Sequence, residues 1–226
     1  MLIALAACQT GTGITPTLEP TASPTPDEVT QVSVDGVTLA IQTPRGWQSV
    51  PNEHGILLAE HAELHGNGAP NGILVYIFVP EMKDMDVDDS QDNLALTVLD
   101  HVTKLPSYVG DSTVTTAIPM RLGPHNAAYY LLSDAQNNRT FVLALTDPAT
   151  NKIIVCNVSS SNYDSARIRR VLPLVLANLT IDGQSVDLGG LDALPDPLVF
   201  PVHRRREQDY DAAREVTPDA VSTPPG

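Results

Sequence analysis

The sequence predicts an α+β domain in which an antiparallel β-sheet is sandwiched by helices, with a disordered N-terminal tether and a C-terminal tail. Three observations predict it. Between Ala127 and Ser159, three apolar runs of strand length alternate with two polar, turn-rich clusters, the pattern of a β-meander. In these runs neighbours such as Leu131/Leu132, Val142/Leu143 and Ile153/Ile154 are both apolar, so each face of the strands requires cover. Two stretches with apolar residues at three- and four-residue spacing supply helices of the length that could provide it.

Taken in order, residues 1–8 are an apolar run ending at a cysteine, 9–28 a Thr/Pro-rich linker, 29–182 the folded domain, and 183–226 a mostly irregular tail. Thr30–Val34 and Val37–Ile41 flank Asp35-Gly36, a strong hairpin signal. Thr43-Pro44-Arg45-Gly46-Trp47 leaves the hairpin and delivers the single tryptophan, expected between sheet and helix. Gly55–Ala59 and the nearly continuous Ile73–Val79 are strands, the second of them central. Leu94, Ala95, Val98, Leu99, Val102 and Leu105 form one stripe of a helix expected over Ser90–Leu105 and ended by Pro106. Ser112–Ile118 reads as a strand, Pro119–Asn126 as a turn, and the meander follows. A second helix is expected over Asp164–Leu179, capped by Asp164 or Ser165; Pro173 inside it requires either a kink near Arg169 and Arg170 or a late start. Leu198–Val202 could pack along the domain.

Charged residues are 18% of the chain and the net charge is −14, a balance that repels nucleic acid and anionic surfaces. Leu5-Ala6-Ala7-Cys8 resembles the lipobox of bacterial lipoproteins, and the resemblance implies that Cys8 carries lipid as the first residue of the mature chain. The apolar run lacks a basic start and is short for a signal peptide, which places the expected start codon upstream. The linker, poor in apolar side chains, suits a solvated tether between such an anchor and a domain. Cys156, inside a meander strand, reads as a small buried hydrophobe rather than a nucleophile.

Two weak metal candidates stand in the sequence. His61 and His65, at i and i+4 with Glu60 and Glu63 beside them, suit a transition metal, but Ala62 stands where a metalloprotease helix needs Glu. Asp84, Asp86 and Asp88 alternate like an EF-hand opening, yet Asp89 replaces the turn glycine and Ala95 the bidentate glutamate. The expectation is therefore no metal and no cofactor, with Asp88, Asp89 and Asp92 leading into the first helix as capping carboxylates.

Strand, Pro44-Arg45-Gly46-Trp47, a second strand, a long helix, a β-meander and a closing helix together resemble the PsbP-like α/β/α family. That family includes the extrinsic oxygen-evolving protein of photosystem II and bacterial envelope lipoproteins of the LpqN type. The resemblance spans about Val32 to Asp182 and implies a fold more than a function. The sequence carries no Gly-x-Ser-x-Gly elbow, His-Glu-x-x-His or phosphate loop. The resulting expectation is a non-enzymatic binding or assembly module, lipid-anchored in the cell envelope through Cys8, with an envelope protein or small ligand as partner. The alternative is an envelope hydrolase whose site is assembled from distant residues.

Overall fold

In the computed structural model, the described residues are 28–61, 72–83, 85, 87 and 92–203. β1 (Val29–Val34) and β2 (Val37–Gln42) pair as a hairpin through Asp35 and Gly36, whose φ of 50° and 82° match the two left-handed positions of a type I′ turn. This hairpin belongs to a small antiparallel sheet of order β1-β2-β11-β12, completed by β11 (Leu179–Ile181) and β12 (Gln184–Ser185).

The main sheet has the order β3-β4-β5-β10-β9-β8-β6 and is antiparallel at every pairing. Its strands are β3 (Gln48–Pro51), β4 (Gly55–Ala59), β5 (Ile73–Phe78), β6 (Thr113–Val114), β8 (His125–Ser133), β9 (Arg139–Thr146) and β10 (Ile153–Ser160). β7 (Ile118–Leu122) pairs with β8 as well. The meander is β8-β9-β10, and β5 is central between β4 and β10, both as the apolar runs predict.

The doubly apolar strands are explained by their cover. Alternate residues Ile154, Cys156 and Val158 of β10, with Phe141, Leu143 and Leu145 of β9, point to one side and pack on α3 (Ile168–Ala177) and the small sheet. Residues of opposite parity, among them Tyr130, Val142, Ala144, Ile153 and Val155, point to the other side, against α1 (Leu94–Lys104). The α+β architecture with helices on both faces is the one expected, except that α3 shares its face with the small sheet.

Local differences have physical reasons. α1 begins at Leu94, not Ser90: Asn93 Oδ1 accepts from Leu96 N at 3.0 Å, so an asparagine does the capping expected of Asp88, Asp89 or Asp92. After Leu105 a four-residue α2 (Pro106–Val109) follows. β7 runs through Pro119, where a turn is expected; it pairs only with β8, and a proline is tolerated on such an edge. α3 starts late, after a 3-10 segment over Asn162–Arg167, which is one of the two outcomes Pro173 requires; its N-cap position is Arg167, with no side-chain cap bond, rather than Asp164 or Ser165. The segment ends at Ala177, and Leu179 already belongs to β11.

Trp47 is half-buried rather than enclosed. Its N–H closes a turn on Pro44 O at 2.9 Å with Gly46 at φ 83°, and its ring packs on the edge of the α3-side core. The folded body also extends past Asp182. Val186, Leu191 and Leu194 are buried in the α3-side core, and Leu198 and Phe200 pack against it. Gly190 comes so close to Arg121 O that a Cβ would stand 2.0 Å from it, so only glycine lets this segment lie against β7.

Candidate functional site

α1 packs on β8 and β9, leaving the same face of the sheet partly open over β10 and β5. There the backbone register aligns one side chain from each of four adjacent strands: Tyr76 faces Asn157, Asn157 faces Val142, and Val142 faces Tyr130. One row along, Phe78, Val155, Ala144 and Ala128 align in the same way. Tyr76, Asn157, Val142 and Tyr130 of the first row, with Phe78 and Val155 of the second, form the floor of a cleft of about 520 Å³. Val98, Leu99 and Val102 of α1 form its wall, and His54, Glu81, Met85 and Tyr108 stand at its rim. The rings of Tyr76 and Phe78 stack with centroids 4.7 Å apart, which makes the β5 side of the floor aromatic.

The cleft is mostly apolar, with three polar side chains on its floor, Tyr76, Tyr130 and Asn157; the Tyr76 hydroxyl donates to Asn52 Oδ1 at 3.2 Å. Tyr130 is mostly buried, and burial pushes its phenol up to about 12, so it stays a neutral hydroxyl. Asn157 Oδ1 is buried without a hydrogen-bond partner among the described residues. Such an acceptor costs about 1–3 kcal/mol. In the following row Ser159 and Thr140 satisfy each other at 2.9 Å; the other unpartnered buried atoms, Thr146 Oγ1, Ser161 Oγ and Arg169 Nε, belong to residues that do not line the cleft.

Charge lies at the rim. Lys83 Nζ is 2.7 Å from Glu81, and its hydrogen bond and charge hold the Glu81 carboxyl below the usual carboxylate range. Beyond Val79, Pro80 and Glu81 a second, charged recess of about 620 Å³ contains Asp35, Glu53, His54, Lys83 and Lys152, with Lys152 paired to Asp35.

The sequence candidates lie elsewhere. Cys8, His65, Asp84, Asp86 and Asp88 fall outside the described residues. His61 is described; its side chain is 57% exposed and its Nε2 is 4.0 Å from Glu60 Oε2. Glu60 itself is engaged by Arg167, whose guanidinium this hydrogen bond holds above its ordinary value. No group of three or more potential metal ligands occurs among the described residues. Cys156 is a free, buried thiol on the α3-side face, pushed up to about 12 by burial and therefore unreactive as a nucleophile. His125 is buried with Nδ1 3.1 Å from Thr146 O, and His203 Nδ1 is 3.4 Å from Thr113 Oγ1.

None of the cleft residues was a sequence candidate. Asn157 carried the available signal, an amide in the middle of an apolar strand, but only the register shows that it shares a face with Tyr76 and Val142.

No family profile and no curated protein matches the chain. Among solved structures it is similar to LpqN, involved in cell envelope biogenesis of Mycobacterium tuberculosis, at 13% identity and a TM-score of 0.44, over 68% of this chain and 90% of that one. It is also similar to the cyanobacterial PsbP (CyanoP) of Synechocystis sp. PCC 6803, at 13% identity and a TM-score of 0.41, over 73% of this chain and 98% of that one. They are of the two kinds that the Pro44–Trp47 turn and the order of elements resemble.

Proposed function

We propose that the protein is a binding module that takes an apolar small ligand in the cleft between α1 and the main sheet, and that lipid on Cys8 holds it in the cell envelope. The observation that carries the binding reading is the open apolar cleft itself. Its volume lies in the range of small-ligand sites, and its floor is made mostly of aromatic and aliphatic side chains. Burying such a surface against a ligand is favourable at about 25 cal/mol per Å² of apolar area. The anchor reading rests on the lipobox-like Leu5–Cys8 and the Thr/Pro-rich segment after it, which would let the domain stand off from a membrane.

The binding reading is tested by titrating the isotopically labelled chain with 2-ethylnaphthalene, an uncharged apolar probe, and following backbone amide shifts. Saturable shifts concentrated on Val98–Val102, Tyr76–Phe78 and Val155–Asn157 support it. Shifts confined to the α3 face, or none that saturate, contradict it. The anchor reading is tested in cells with the chain expressed behind a full lipoprotein signal peptide: Cys8→Ser should lose fatty-acid labelling and membrane fractionation, and equal membrane binding without label in both forms would sink it.

A further inference from the structure

We infer that the ligand of the cleft carries a neutral hydrogen-bonding group, an amide or a hydroxyl, that seats on the side chain of Asn157. This rests on the reading of the cleft as a small-ligand site. Among the described residues Asn157 is the only carboxamide lining the cleft, and its Oδ1 is enclosed without a partner among them. A strand residue flanked in register by Tyr76 and Val142 packs most simply as an apolar side chain, so the amide is explained by something it contacts. Rotation about χ2 exchanges its carbonyl and amino ends, and a group that both donates and accepts satisfies either orientation.

The rest of the floor narrows the ligand further. Tyr130, two strands away and so about 10 Å across the sheet, makes no hydrogen bond among the described residues and remains protonated at neutral pH. It offers a second neutral polar contact. Among the described residues no ionised side chain reaches the floor, where an isolated charge on the ligand would be desolvated without a counter-charge. The rim carboxylate Glu81 and the chain's net charge of −14 disfavour an anion in addition. The occupant is therefore an uncharged molecule with an apolar body between α1 and the Tyr76–Phe78 surface and one amide or hydroxyl over Asn157.

The test uses three probes with one ring system on the 226-residue chain: 2-ethylnaphthalene, naphthalene-2-carboxamide and 2-naphthoate. The carboxamide should bind about tenfold more tightly than the hydrocarbon, the gain of one buried hydrogen bond, and the carboxylate more weakly than the carboxamide. Asn157→Val should bring carboxamide and hydrocarbon to within about twofold of each other. Asn157→Ser, which shortens the side chain and keeps a polar atom, serves as the second variant and should lose most of the preference. Equal affinities for carboxamide and hydrocarbon in the unsubstituted protein overturn the inference and leave the apolar-cleft reading standing. A carboxamide preference that survives Asn157→Val also overturns it. If no probe binds saturably, the cleft reading itself fails, and the inference with it.

Discussion

Asn157 and Tyr76 face one another across β10 and β5, on the sheet face that α1 leaves partly open. With its Oδ1 enclosed and unpartnered, Asn157 carries a cost in the ligand-free protein that a valine would not. Asn157→Val should therefore raise the unfolding free energy by about 1 kcal/mol in denaturant titration. A loss of stability of that size would mean the amide is satisfied in solution.

Glu60 and Arg167 tie the end of β4 to the 3-10 segment before α3, and Glu60 also accepts from Ile73 N at 3.3 Å. Glu60 is mostly enclosed, but Arg167 is 37% exposed, so solvent weakens the pair. Glu60→Gln should cost about 0.5–1 kcal/mol, with a smaller effect at high salt than at low salt. An unchanged denaturant midpoint at low salt would make the pair energetically idle.

Cys156 and Tyr130 are both pushed up to about 12 by burial, from 9.0 and 10.0. Both are acids whose folded pKa is raised, so their contribution is fully present below about pH 9 and is lost as pH rises toward 12, because the unfolded chain ionises first. The melting temperature should fall steadily over that window, and Cys156→Ala should make the fall shallower. In a Cys8→Ser background, which leaves one thiol, Cys156 at pH 8 should react with Ellman's reagent only after unfolding. Rapid native-state labelling would contradict its burial.

The hairpin at Asp35-Gly36, the strands of the meander and both helical stripes were legible because each is a local pattern. The end of the domain was not, although Asp182-Gly183 repeats the signal of Asp35-Gly36: their φ values of 49° and 77° make the β11–β12 turn. Its flanking strands of three and two residues are too short to show alternation. Leu191 and Leu194 likewise lack periodicity and are recognised as core only from the tertiary structure. The cleft was illegible for a related reason, since it depends on which strands lie side by side and on how far α1 reaches across them.

A chain truncated after Asp182 should consequently be much less stable than one truncated after His203. The shorter form loses Val186, Leu191 and Leu194 from the core, each worth about 1.5–3 kcal/mol when fully buried. Matching urea midpoints for the two truncations would show that the 183–203 segment is not part of the cooperative unit.

The central claim, that the cleft between α1 and the sheet receives an apolar ligand, is tested most directly by filling it. Val102 lies on its α1 wall and is only partly buried, so Val102→Trp can occupy cleft volume without displacing the core beneath. Calorimetric titration with 2-ethylnaphthalene should give one saturable site in the unsubstituted chain and at least a tenfold loss of affinity in a Val102→Trp chain that unfolds with an unchanged midpoint, about 1.4 kcal/mol of binding free energy. Equal affinity in the two chains would place the binding elsewhere and contradict the account.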